Sequence, residues 1–266
     1  MSSKNELRDF LFFTRKIAKK AGQILLNERN KVKIVRQKDI QDFTTSADIL
    51  SERFIIDSIE KKYPEHGILS EEKGEIKKES DYRWVIDPLD GTKEFTRGIP
   101  LFNVSIALEF KCELIVSSVY RPMDNSLYSA AKKVGSFLGN EKIKVSEVNS
   151  LDKSFIYCYL PSYHRQKEKY DWAFKILEEI GKRVYRLRSL SDENTALCWL
   201  AQGGIEAYIN LSNPPKWHDI APGLLVAQEA EALITDSKGN SFSKNHFDGI
   251  VASSSKIHDQ ILDILK

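Results

Sequence analysis

Cysteine is scarce in this chain and never paired. Cys112, Cys158 and Cys198 are odd in number and widely spaced, with no C-x-x-C pair, which argues against structural zinc and for a reducing compartment. No uninterrupted apolar run approaches the length of a membrane span. The N-terminus, with charges at Lys4, Glu6, Arg8 and Asp9, lacks a small-residue cleavage pattern after an apolar core. The expectation is a cytoplasmic protein with no membrane partner. Nor does one charge dominate: 40 basic and 38 acidic residues leave a formal +2, so nothing in the bulk charge calls for a nucleic-acid polymer. The densest basic stretch, Lys31, Lys33, Arg36 and Lys38, interleaves with Val32, Ile34 and Val35 and reads as a solvated strand face. Internal repeats, low-complexity segments, a Ser-His-Asp arrangement and a nucleophilic-cysteine motif are also missing.

What is present is an ordinary globular pattern. With 266 residues and 41% hydrophobic content, the chain can bury one large core or two modest ones. Leu7, Phe10, Leu11, Ile17, Ala18, Ala21, Ile24 and Leu25 fall at three-and-four spacing and predict an amphipathic helix over Leu7 to Asn27. A second helix is expected from about Ser46 to Lys62. Thr44, Thr45 or Ser46 would cap it, Asp48 lies in its first turn, and Pro64 follows its end. Val32 to Val35 predicts a short strand between the two helices, and Asn103 to Phe110 with Glu113 to Tyr120 predicts a hairpin turning at Lys111-Cys112. The polar stretch Asn140 to Lys153 divides the chain into a helical-then-antiparallel α+β first part, 1–147, and an α/β second part, 148–266. In the second part, strands at Phe155 to Leu160, Arg183 to Arg188, Glu206 to Ile209, Ala232 to Thr235 and Gly249 to Ala252 alternate with helices. Those helices are expected near Tyr170 to Ile180, Ser191 to Gln202, Asp219 to Ala230 and Lys256 to Leu265.

The densest chemistry lies in Asp87-Pro88-Leu89-Asp90-Gly91-Thr92-Lys93-Glu94-Phe95. Two carboxylates stand three positions apart, after the β-favouring run Tyr82 to Ile86, so the acids are expected at a strand end in a turn stiffened by Pro88. Gly91 and Thr92 suit a helix start, whose free N–H groups would face whatever the carboxylates hold. A metal with an anion beside it is the combination phosphate chemistry needs. Glu71-Glu72, after Ile68-Leu69-Ser70, is a second acidic pair beyond an apolar stretch, although alone it reads as a solvated pair. Asp219 in Trp217-His218-Asp219-Ile220-Ala221-Pro222-Gly223 supplies a third acidic element, or merely a helix N-cap, and His218 reads as a packed or solvent-facing histidine.

If Glu71, Asp87, Asp90 and Asp219 converge, they offer only hard oxygen donors, which suit Mg²⁺ or Mn²⁺ rather than zinc or copper. Four carboxylates around one point repel unless two or more cations sit among them, and paired cations serve in-line phosphoryl displacement. With no protein nucleophile in view, a water activated by the metal is the simplest attacking group. Thr92 could orient it if an acid accepts the threonine proton, the plain alternative being that Thr92 is a cap.

A set of ordered elements identifies the chain as resembling the lithium-sensitive, magnesium-dependent phosphomonoesterases that include the inositol monophosphatases. They are Asp42-Phe43-Thr44-Thr45-Ser46-Ala47-Asp48, Ser70-Glu71-Glu72, the Asp87 to Phe95 loop, Gly203-Gly204 and Asp219-Ile220-Ala221-Pro222-Gly223. The resemblance implies a layered α/β/α/β/α sandwich and two or three Mg²⁺ ions, with Mn²⁺ as a substitute. The ligands it implies are Glu71, Asp87, the Leu89 carbonyl, Asp90 and Asp219. It further implies that Asp48 and Thr92 activate water, and that Gly91 and Thr92 N–H groups meet the phosphate, with Glu71, Asp90 and Asp219 also facing substrate. Lys93-Glu94-Phe95, continued by Gly98-Ile99-Pro100 and Asn103-Val104-Ser105, resembles the 3'(2'),5'-bisphosphate nucleotidase branch most closely. The implied reaction is then 3'-phosphoadenosine 5'-phosphate to AMP and phosphate, with an inositol phosphate or a sugar bisphosphate such as fructose 1,6-bisphosphate as the alternative. Two features depart from the pattern: Ser191-Asp192-Glu193-Asn194-Thr195 stands where a small-residue, lysine-containing stretch is usual, and His218 separates Trp217 from Asp219. Asn210 stands where the inositol branch has an acidic substrate contact, which counts against inositol phosphate. A monomer or a homodimer is expected, and a non-catalytic binding protein on the same fold is the remote alternative.

Overall fold

The computed structural model describes residues 4–39, 42–189, 192–244 and 249–266. The chain opens with α1 (Lys4–Glu28), an antiparallel strand pair β1 (Ile34–Asp39) and β2 (Asp42–Thr45), and α2 (Ser46–Lys62). There follow β3 (Gly67–Ser70), β4 (Gly74–Ile76), β5 (Tyr82–Asp90) and the short helical turn α3 (Thr92–Thr96). An antiparallel run comes next: β6 (Asn103–Phe110), β7 (Glu113–Arg121), β8 (Ser126–Ala131), β9 (Gly135–Leu138) and β10 (Glu141–Ile143). The second part alternates β11 (Phe155–Tyr159), α4 (Lys167–Gly181), β12 (Arg186–Arg188), α5 (Glu193–Ala201), β13 (Ala207–Asn210), α6 (Trp217–Glu229), β14 (Leu233–Thr235), β15 (Ile250–Ser253) and α7 (His258–Leu265).

Two large sheets organise these elements, one of eight strands in the order β10-β9-β8-β7-β6-β5-β3-β4 and one of five in the order β12-β11-β13-β15-β14. α1 and α2 bury Leu11, Ile17, Leu25, Ile55 and Ile59 with Trp84, Ile86, Val104 and Ile106 of the first sheet. α5 and α6 lie between the sheets, where Leu197, Leu200, Leu224 and Val226 join Val119 and Tyr128 on one side and Tyr208 and Ala252 on the other. α4 and α7 cover the far face of the second sheet through Ala173, Ile180, Ile261 and Ile264. The five layers are helices, sheet, helices, sheet, helices, the sandwich that the sequence resemblance implies. Among the described residues, no helix is long and apolar enough to cross a membrane.

Local signals account for most boundaries. Thr45 caps α2 reciprocally with Asp48, whose Oδ2 accepts the Thr45 N–H at 2.9 Å, the arrangement a capping box produces. The expected hairpin turns where Lys111 and Cys112 both adopt positive φ, 51° and 64°, as a two-residue reverse turn requires. Three expectations need correction. The strand read at Val32 to Val35 runs instead from Ile34 to Asp39, because its pairing with β2 rather than its apolar run sets its length. The acids Asp87 and Asp90 do not follow β5 but lie in its last four residues. There Pro88 has no N–H to give β6, and the register shifts between Asp87 and Asp90, so the strand continues as an irregularity that re-aims both carboxylates. The helix expected from Ser191 begins at Glu193, and Ser191 itself lies outside the described residues.

Candidate active site

The irregular end of β5, the α3 turn and the first turns of α5 and α6 converge on one open cavity. Phe43, Glu71, Asp87, Asp90, Thr92, Lys93, Tyr159, Glu193 and Asp219 are among its lining residues. Every side chain picked out in the sequence for metal binding therefore reaches this cavity, although they come from β5, the turn after β3 and the second part of the chain.

Asp87 is 2% exposed, and its Oδ1 accepts the Leu89 N–H at 3.1 Å. Burial, followed by the carboxylates of Glu71, Asp219 and Asp48, pushes its carboxyl well above the ordinary range. Asp90 is raised in the same way by burial and by Asp192, Asp87 and Glu193. Two amides hold it in place: Asn103 donates to Asp90 Oδ2 at 3.0 Å and Asn194 does so at 3.2 Å. Asp219 is not the cap of α6 but its third residue. Its Oδ2 accepts the Lys216 N–H at 3.1 Å, and His218 Nε2 lies 3.2 Å from Oδ1. His218 is buried, as a packed histidine should be, yet its ring edge reaches its neighbour's carboxylate. Glu71 is positioned through its backbone, its N–H donating to the Ile86 carbonyl at 3.2 Å. Below this turn, the buried Glu52 carboxylate accepts the N–H groups of Glu72 and Lys73 at 3.1 and 3.0 Å.

The two residues assigned to water touch each other. Thr92 Oγ1 lies 3.2 Å from Asp48 Oδ1 and 3.0 Å from the Leu89 carbonyl. Thr92 is thus the first residue of α3 rather than a cap; Gly91 occupies the cap position with φ of 88°. Burial raises the Asp48 carboxyl to about 7, with Glu71 and Glu72 adding to it and the Thr45 hydrogen bonds opposing. That carboxyl stays poised to take or release a proton near neutrality.

Among the described residues, no group of three or more His, Cys, Asp and Glu side chains closes into a ready metal cage. The physical reason lies in the partners just named. Asp87 and Asp219 turn an oxygen to nearby backbone N–H groups and Asp90 to two amides, while the mutual effects on Asp87 and Asp90 record how near the acids remain. Carboxylates that raise one another in a buried, all-oxygen pocket are chemically fitted to a hard divalent cation.

Sequence reasoning missed the support around these acids. Asn103, Asn194 and Glu193 stand in stretches compared with the family pattern, but nothing local in the sequence gives them a role beside the acids. Asn103, buried at the start of the largely apolar strand β6, was the available signal, since a polar residue at an inward position needs a partner.

Comparison with known proteins then bears on the whole assembly. The model of the inositol monophosphatase family matches residues 6–266. The chain belongs to the inositol monophosphatase family. Over 225 residues it is 37% identical to Nus factor SuhB of Vibrio cholerae, covering 84% of this chain and 83% of that protein. It is 32% identical over 263 residues to the fructose-1,6-bisphosphatase/inositol-1-monophosphatase of Thermotoga maritima, covering 97% and 96% of the two chains. Among solved structures, the extragenic suppressor protein suhB of Bartonella henselae superposes with a TM-score of 0.89 at 27% identity, over 97% of this chain and 98% of that one. The Thermotoga maritima IMPase superposes at 0.86 with 29% identity, over 97% and 96%. The family is one of phosphatases that act on small phosphate esters.

Proposed function

We propose that this chain is a Mg²⁺-dependent phosphomonoesterase whose substrate is a small polyol or sugar phosphate, of the inositol 1-phosphate or fructose 1,6-bisphosphate type. The observation that carries the chemistry is the Asp48–Thr92 contact set at the edge of the four-acid cavity. The substrate class rests on the relatives: those with an activity in their names are inositol and fructose bisphosphate phosphatases. The nucleotide substrate expected from Lys93-Glu94-Phe95 draws no support from them.

Glu71, Asp87, Asp90, Asp219 and the Leu89 carbonyl would hold the cations, two or three Mg²⁺ with Mn²⁺ as a substitute. When bound, Mg²⁺ supplies Lewis-acid stabilisation of the phosphoryl oxygens and makes water a better nucleophile near neutral pH. Asp48 accepts the Thr92 hydroxyl hydrogen, which leaves the Thr92 oxygen lone pairs free to accept from the attacking water and fix its direction. The N–H groups of Gly91 and Thr92, at the start of the α3 turn, would donate to the phosphate. Water adds to phosphorus as the bond to the ester oxygen breaks; the water gives up one proton through Thr92 to the Asp48 carboxylate, and the ester oxygen takes one proton from solvent and leaves as the alcohol.

The test is a panel of inositol 1-phosphate, fructose 1,6-bisphosphate and 3'-phosphoadenosine 5'-phosphate with Mg²⁺, run beside Asp90→Asn and Asp219→Asn. Both variants, still folded, should lose activity by about a hundredfold or more. Wild-type turnover by either would remove it from the site. A preference for the nucleotide over both polyol esters would overturn the substrate class and restore the nucleotidase reading.

A further inference from the structure

One face of α2 reaches three separate segments around the site. Asp48, Ser51 and Glu52 are all buried, and their spacing of three and four positions puts them on the same side of the helix. Asp48 Oδ1 accepts from Thr92 Oγ1 at 3.2 Å, while Ser51 Oγ donates to the Pro88 carbonyl at 2.8 Å, inside the irregular end of β5. Glu52 reaches the turn that carries Glu71. Its Oε1 accepts the Ser70 hydroxyl and the N–H groups of Glu72 and Lys73, the last two at 3.1 and 3.0 Å.

The order of those donors along the chain is what matters. Ser70 precedes Glu71, whereas Glu72 and Lys73 follow it, so a single oxygen atom is bonded on both sides of Glu71. The Glu71 N–H is itself given to the Ile86 carbonyl at 3.2 Å, and the Glu72 carboxylate accepts from Thr44 Oγ1 at 2.6 Å. The backbone is thus held before, at and after the residue that lines the cavity. Glu52 is 1% exposed. An ionised carboxylate has room for several donors and offers none of its own, and bonds to a charged acceptor are about twice as strong as neutral ones. Asp48 lies one helical turn before Glu52, which ties the direction of Glu71 to the position of the acid that meets Thr92.

We propose that Glu52 is a positioning residue: by clamping the 70–73 turn its carboxylate fixes the direction of Glu71, and so sets the affinity of the site for Mg²⁺ without touching the cation. The inference rests on Glu71 being a metal ligand, as the phosphomonoesterase reading has it.

Wild type, Glu52→Ala, Glu52→Gln and Ile59→Ala are compared by calorimetric titration with Mg²⁺ and by thermal unfolding with a chelator present. Ile59 is a buried core residue further along the same helix, so its truncation loosens α2 and leaves the clamp in place. Glu52→Ala should weaken Mg²⁺ binding about ten- to hundredfold, the range found when an outer partner of a metal ligand is lost. Glu52→Gln keeps an acceptor oxygen in the same place and should stay within about threefold of wild type. Ile59→Ala should lose at least as much thermal stability as Glu52→Ala, yet hold Mg²⁺ within about twofold of wild type. Unchanged Mg²⁺ affinity in folded Glu52→Ala overturns the proposal. So does an equal loss in Ile59→Ala, which would be general loosening, or in Glu52→Gln, which would make charge or direct coordination the cause. Should Glu52→Ala not fold, Ser70→Ala removes the donor on one side of Glu71 and should cost about three- to tenfold in Mg²⁺ affinity; no change there also overturns the clamp. The phosphatase reading fails separately, if wild type binds Mg²⁺ but hydrolyses none of the three esters, and the titrations still decide the role of Glu52. Wild type that binds no Mg²⁺ overturns both.

Discussion

Replacing Gly91 by alanine separates two costs that the turn at the end of β5 combines. Gly91 has φ of 88°, and a Cβ built there would lie 2.6 Å from the Leu101 carbonyl oxygen and 3.1 Å from Phe102 Cα. Both neighbours are backbone and cannot rotate away. The left-handed conformation alone costs alanine about 1 kcal/mol. The forced overlap adds about 1–3 kcal/mol, as overpacking does elsewhere. The sum of about 2–4 kcal/mol corresponds to a fall in Tm of about 4–16 °C for a chain of this size. Gly98 is the internal control: its φ is 74°, but a Cβ built there has nothing within 4 Å, so Gly98→Ala should show the conformational cost alone, about 1 kcal/mol or 2–4 °C. Thermal unfolding by circular dichroism at fixed Mg²⁺ measures both. Phosphatase activity should fall far more in Gly91→Ala, since Asp90 and Thr92 flank the displaced residue and a shift of about 1 Å can cost a hundredfold. Equal shifts in the two variants would refute the argument, because the Leu101 contact could then not be where the turn places it.

Other perturbations probe the acids and their supports. Asp48→Asn and Thr92→Val should each lower kcat by about 10²–10⁴, and the double variant by little more than the worse single one, because the two act as a unit; additive losses would separate them. With a chelator present, Tm should fall as pH rises from 5 to 8. The Asp48 carboxyl is raised from 3.8 to about 7 by burial, so its favourable contribution is complete below pH 3.8 and is lost as pH passes 7, worth up to about 4 kcal/mol. Saturating Mg²⁺ should offset that fall, and a chelated protein that gains stability over this range would contradict it. Glu109 is buried between Arg83 Nη2 and Lys244 Nζ, both 2.6 Å away, and accepts the Trp217 indole N–H at 2.9 Å. Glu109→Leu should cost about 3–5 kcal/mol in chemical denaturation and weaken Mg²⁺ binding through the loosened start of α6, whereas a loss of stability with full Mg²⁺ affinity would limit Glu109 to packing.

How legible each feature was depended on how local its cause is. The helix from Ser46 to Lys62 was readable to the residue because its cap, first-turn acid and terminating proline lie within or beside its own sequence. The four acids were readable for a similar reason, each lying in or beside a local break: the irregular end of β5, the turn after β3 or the start of α6. The strands between Ser126 and Ile143 were not expected, because Ser129, Ala130, Ala131 and Ser136 are buried by their place in the meander rather than by any apolar alternation. Glu193 was likewise invisible as a pocket residue. Its neighbours in sequence, Asp192 and Asn194, face other partners, and only the approach of α5 to β5 and β6 reveals which of these three residues looks into the cavity.

That approach also explains how residues from distant parts of the sequence hold one geometry. Asn194 donates to Asp90 Oδ2 at 3.2 Å, and its own Oδ1 accepts the Gly223 N–H at 2.8 Å. One amide therefore spans from a carboxylate on β5 to the backbone of α6, the helix that carries Asp219. Pro222 precedes Gly223 inside α6 and removes one N–H from the helical ladder, while Gly223 gives its N–H to Asn194. A Cβ at Gly223 would meet Asn194 Cα and Oδ1 at 3.0 Å, so a larger residue would push α5 away from α6 and with it the amide from Asp90. The Pro-Gly pair that reads in sequence as an interruption of a helix is thus what permits the close contact. The positions of Asp90 and Asp219 are coupled through helix packing and one side chain, so the spacing between these acids is set by the fold itself.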